Sequence, residues 1–112
     1  MVLAILFISF NYYINISYTN TMNNFYTEFS SGNFNEAKKT LSANKIINII
    51  KKNSKTSDLN KYFTSVVNIL CKNLKNNSIT NSQALVYLNE INSYNILNSS
   101  LLTYICNVTH FE

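Results

Sequence analysis

Two different patterns of apolar and polar positions divide the chain. Nine of the first ten residues are apolar, and residues 2–10, Val-Leu-Ala-Ile-Leu-Phe-Ile-Ser-Phe, carry no charge. The run continues at lower density to Tyr18, with Tyr12 and Tyr13 between. A helix of this composition has no polar face for water, and its tyrosine-rich end resembles the interfacial belt of a membrane helix. It is shorter than the roughly 20 apolar residues that cross a bilayer, and it lacks the basic start and small-residue cleavage site of a secretory leader. The expectation is a partial signal anchor or transmembrane segment over residues 1–18, the outer half of an anchor whose first residues are absent. A helical domain would follow over residues 19–112. A buried core helix is the competing reading of the apolar run.

Beyond Tyr18 the spacing turns helical. Met22, Phe25, Tyr26 and Phe29 fall on one face, and Ser30-Ser31-Gly32 supplies a stop, glycine being suited to the left-handed position after a helix. Asn33 with Glu36 reads as a capping-box-like start, with Phe34, Ala37 and Leu41 turned inward. Ile46, Ile47, Ile49 and Ile50 continue that helix or form a short one after Asn44. Residues 51–56 are polar and read as a loop, so Ser57 or Asp58 would cap the next helix. There Leu59, Tyr62, Phe63, Val66, Val67, Leu70 and Leu74 make one broad stripe, opposite Lys61, Thr64, Ser65, Asn68, Lys72 and Lys75. Asn76-Asn77-Ser78 breaks it. Thr80 with Gln83 opens a further helix with Ala84, Leu85, Leu88 and Ile91 inward, residues 92–96 read as a loop, and a last helix is expected over residues 98–107 with Leu101, Leu102, Ile105 and Val108 on its apolar side. The expected fold is all-α: a small bundle of four or five short helices behind an N-terminal apolar membrane stub.

Composition narrows the alternatives. The 112 residues contain one glycine and no proline, too few turn-formers for a sandwich or barrel, and no glycine fingerprint for a nucleotide is present. Asparagine occurs 21 times, scattered among periodic apolar positions, which fits AT-rich codon bias better than a prion-like tract.

The segment Gly32-Asn33-Phe34-Asn35-Glu36-Ala37-Lys38-Lys39-Thr40-Leu41 fits G-x-[YF]-x-x-A-x-x-x-[LFY]. It resembles the turn and second helix of a tetratricopeptide-like hairpin, here a single one over about residues 21–43. The resemblance implies that Gly32 permits the turn, Phe34 wedges beneath it, and Ala37 lets two helices approach, with Phe25 and Phe29 facing them. A second copy at the repeat period of about 34 residues would fall near Val66, inside the strong helix. In style the chain also resembles the membrane-anchored, extracytoplasmic helical domains of low-GC Gram-positive bacteria.

The chemistry-bearing residues form no catalytic pattern. The five acidic residues are dispersed and fit caps or exposed faces, and His110 is close to the end. Cys71 and Cys106 are 35 positions apart, without zinc-ligand spacing. They are two half-buried thiols, the favoured reading, or one disulfide. Cys106 and His110 could share a helical turn, but nothing supplies an orienting third group or an oxyanion hole. No enzyme, cofactor or metal is expected.

Charge remains. All nine lysines lie between residues 38 and 75 against Asp58 alone, a net of +8. Lys61, Lys72 and Lys75 share one helix face and are the candidate contact for an anionic surface, whether lipid or wall polymer. Nucleic acid is disfavoured, since arginine is absent and Tyr62 and Phe63 point inward. The functional expectation is a non-catalytic structural or interaction module at a bacterial membrane surface, extracytoplasmic, with a protein or anionic polymer as partner. The alternative is a soluble polyanion-binding helical domain that uses the basic region at 38–75.

Overall fold

A computed structural model describes residues 2–97. Among them are five α-helices and no strand: α1 (Val2–Ser30), α2 (Phe34–Ser42), α3 (Lys45–Ile50), α4 (Lys52–Lys75) and α5 (Asn81–Ser93). The fold class is therefore all-α, as the periodicity predicts. The helix expected at 98–107, with Leu101, Leu102, Ile105, Val108, Cys106 and His110, lies outside the described residues. Two compact units meet in sequence between Lys52 and Asn53.

The first unit is built on α1, whose 29 residues extend about 44 Å at 1.5 Å per residue. It runs unbroken through Tyr18 and Thr19. Residues 3–13 are all exposed, and only at Ile14 does a buried stripe begin, continuing through Met22, Phe25 and Phe29. No helix among the described residues is long and apolar enough to cross a membrane.

Gly32 ends α1 with φ of 83°. Its N–H donates to the Phe29 carbonyl at 3.0 Å, and the Asn33 N–H donates to the Glu28 carbonyl at 2.9 Å. This double closure satisfies the last carbonyls and turns the chain back. Phe34 then meets Phe29 edge to face, with ring centroids 5.0 Å apart, and α2 packs along α1. Ala37, at 0% exposure, has no side chain beyond Cβ to hold the two backbones apart. Thr40 adds a polar tie, its hydroxyl donating to the Glu28 carboxylate from one helix to the other.

One local expectation changes here, and one open alternative is decided. Asn33 caps α2 by position only, without a side-chain hydrogen bond, and Glu36 turns outward to Lys39 at 3.5 Å. The isoleucines form their own helix, α3, where Asn44 accepts from the Ile47 N–H at 3.2 Å. α3 touches both α1 and α2, and its Lys51 cap sets its ammonium 5.9 Å from the centre of the Tyr18 ring.

In the second unit, the predicted loop at 51–56 is absent: α4 begins at Lys52. Polar residues are poor nucleators but acceptable passengers once a packed stripe downstream holds the helix. That stripe is Leu59, Phe63, Val67, Leu70 and Cys71, all buried, at one-turn intervals. Burial of such side chains stabilises by about 1.5–3 kcal/mol each. Asn77, at φ 57°, terminates α4 as Gly32 terminates α1. Its N–H donates to Leu74, and that of Ser78 to Asn73. The capping box at Thr80 and Gln83 forms as the sequence predicts, with both reciprocal bonds present. α5 buries Ala84, Leu88 and Ile91 and runs to Ser93, two residues into the predicted loop. Tyr94 follows and sets its ring against Phe63, tilted by 41° with centroids 5.1 Å apart.

Candidate anionic-surface site

α4 carries the sequence-predicted contact on the side opposite its buried stripe. Lys61, Lys72 and Lys75 are all exposed. At 100° per residue Lys61 and Lys72 differ by only about 20° around the axis, but they stand about 16 Å apart along it. Lys75 follows Lys72 by one turn, about 5 Å. The Debye length at physiological ionic strength is about 8 Å, so Lys61 acts apart from the Lys72–Lys75 pair. A shallow groove along this face is lined by Lys61, Thr64, Ser65, Asn68, Ile69 and Lys72. It offers hydroxyl and amide donors beside two ammonium groups, with the exposed Ile69 between them.

The nine lysines are divided between the two units. Lys38, Lys39, Lys45, Lys51 and Lys52 belong to the first compact unit, and Lys55, Lys61, Lys72 and Lys75 to the second. Lys39 is engaged by Glu36 and Lys51 lies over Tyr18. Lys72 and Lys75 also occupy the last turn of α4, where positive charge complements the carbonyl end of the helix dipole. The basic region of the sequence is thus divided between two units.

Of the groups that could carry chemistry, Glu28 accepts from Thr40 and Glu36 pairs with Lys39. Tyr94 is perturbed: burial, assisted by the nearby Glu90 carboxylate, pushes its hydroxyl up from 10.0 to about 12. Cys71 is buried and disulfide-bonded, which corrects the half-buried thiol expected at that position and leaves it no nucleophilic thiolate. The described residues contain no cluster of three side chains able to hold a metal ion.

Sequence reasoning missed two features. The Thr40–Glu28 tie joins residues twelve apart whose types alone give no sign of pairing. The outward isoleucines of α3 did leave a sign, because four isoleucines in a six-residue helix cannot all share one inward face. No family model matches the chain, and neither a curated protein nor a solved structure matches it.

Proposed function

We propose that this chain is a non-catalytic structural or interaction module held at a membrane surface by the first turns of α1. The observation that carries this reading is the exposure of residues 3–13, every one of them open to solvent. Leu3 is 82% exposed, and Ile5, Leu6, Phe7, Ile8 and Phe10 surround the same segment. Burial of six such side chains would release on the order of 10 kcal/mol, comparable with the whole stability of a small domain. An exposed apolar surface of this kind marks an interaction site. The apolar section at 2–10 extends about 14 Å, half of the roughly 30 Å hydrocarbon core. It fits insertion into one leaflet, with Tyr12 and Tyr13 following at headgroup depth.

The half-cystine at Cys71 supports a helical body on the oxidising, extracytoplasmic side. The α1–α2 hairpin is read as tetratricopeptide-like, supported by the left-handed Gly32 and the fully buried Ala37. A hairpin of that kind suits a body that binds another protein. Flotation of the full chain with neutral vesicles tests the anchor, with L6S/F7S/F10S as the comparison. Wild type should float and the variant should not, while a wild-type chain that is monomeric without detergent and ignores vesicles would overturn the reading. Exposure of Lys61, Lys72 and Lys75 supports a second reading, a polyanion-binding domain, tested by co-sedimentation of wild type and K61Q/K72Q/K75Q with an anionic polymer.

A further inference from the structure

The short helix α3 holds the least expected surface of the first unit. Ile47 is buried at 1% exposure, while Ile46, Ile49 and Ile50 are exposed, Ile49 to 78%. Their spacing puts the three within about 100° of arc, and Ile47 about 100° from Ile46 toward the core. Lys45 precedes this apolar arc and Lys51 and Lys52 follow it. Isoleucine presented to solvent with lysines at both ends is the pattern of a helix that lies in a bilayer interface. The lysines also complement anionic headgroups and discriminate against an uncharged apolar partner.

The position of α3 on α1 gives the pattern its direction. Lys51 stands over Tyr18, and Tyr18 follows Tyr13, the last residue of the wholly exposed stretch, by about 8 Å along the helix. The headgroup layer on each side of a bilayer is about 5–7 Å thick. A bilayer that takes up the tip of α1 as far as Tyr12 and Tyr13 therefore has its polar boundary close to the carboxyl end of α3. We propose that α3 is a lipid-headgroup contact: Ile46, Ile49 and Ile50 enter the headgroup layer of an anionic bilayer, and Lys45, Lys51 and Lys52 meet its phosphates. The proposal rests on the anchor reading, and it adds a second contact that holds the body against the surface and selects anionic lipid.

The chain has no tryptophan, so one introduced indole reports its own surroundings. Full-length I49W and I8W, both at exposed positions, are mixed with phosphatidylcholine vesicles with and without phosphatidylglycerol, carrying quenchers near the headgroup or deep in the acyl region. I49W should shift to the blue and be quenched best by the shallow quencher, and I8W by the deep one. In the I49W background, K45Q/K52Q should weaken partition to anionic vesicles by about fivefold per lysine at low salt and leave neutral vesicles unaffected. An unquenched I49W beside a quenched I8W overturns the α3 contact and leaves the anchor standing. A quenched I49W beside an unquenched I8W does the reverse, and loss of both removes both. A blue shift of I49W that follows protein concentration without vesicles identifies a second copy as the occupant and also overturns the proposal. If the indole itself perturbs α3, I46S/I49S/I50S gives an independent reading: partition to anionic and to neutral vesicles should both fall with the helical signal intact, and unchanged partition counts against the contact.

Discussion

Phe34 meets the ring of Phe29 across the Gly32 turn, centroids 5.0 Å apart and planes at 65°. The contact closes the α1–α2 hairpin where the chain reverses, and it depends on the left-handed glycine between them. Phe29 is fully buried and Phe34 half-buried, so Phe34→Ala removes part of a core ring and an edge-to-face pair. The expected loss is about 2 kcal/mol, read as a lower denaturant midpoint with unchanged slope. A variant as stable as wild type would show that the pair contributes nothing.

Ala37 and Val67 test the two units separately. Both are at 0% exposure. Ala37→Leu overpacks the α1–α2 contact and should cost about 1–3 kcal/mol. Val67→Asp places an uncompensated carboxylate in the buried stripe of α4 and should be the more damaging. Thermal melts of the two variants check the order, and an unaffected Ala37→Leu melt would contradict the close approach.

Asn77 holds φ at 57°, a region that costs an L-residue with a Cβ about 1–2 kcal/mol and that asparagine tolerates better than most. Asn77→Gly should be neutral or slightly stabilising, and Asn77→Ala should cost about 1 kcal/mol. Denaturant midpoints of the pair measure the difference. Equal values would mean that the end of α4 does not require the left-handed turn.

Tyr94 confers a dependence on alkaline pH. Its hydroxyl rises to about 12 in the fold because burial, and then Glu90, disfavour the phenolate. Below pH 10 the folded and unfolded phenols are both protonated and the contribution is fully present. As the pH rises through 10 toward 12 the unfolded phenol ionises first, so stability is lost across that window. Tyr94→Phe keeps the ring against Phe63 and removes the proton. Its stability should fall less than that of wild type over the same range, measured by circular dichroism. Parallel curves would show that Tyr94 ionises in the fold as it does in water.

The α4 lysines should behave as weak, separable charges. With Lys61 about 16 Å from Lys72 along the axis, single changes to Gln should each reduce association with an anionic polymer by a similar small factor. The triple change K61Q/K72Q/K75Q should remove it, with binding already weak at moderate salt. Co-sedimentation at two salt concentrations reads this out. Identical behaviour of wild type and triple variant would leave these residues as a solvated face that complements the dipole of α4.

Much of this architecture is written locally. The stripe of Leu59, Phe63, Val67 and Leu70, the box at Thr80 and Gln83, and the stops at Gly32 and Asn77 follow from a 3.6-residue repeat and from which residues accept positive φ. Those are properties of neighbours in the chain, so the sequence by itself determined an all-helical protein and most of its inward positions. The start of α4 was not legible, because a polar stretch at 52–56 is compatible with either loop or helix until a packed stripe downstream decides. Nor could the sequence say which isoleucines of α3 face outward, that Thr40 reaches Glu28, or that nine lysines are shared between two units. Only the tertiary structure decided these, because burial and pairing depend on segments brought together from far along the chain. A helix repeat specifies which residues share a face, and the packing of the other helices specifies whether that face meets protein or solvent.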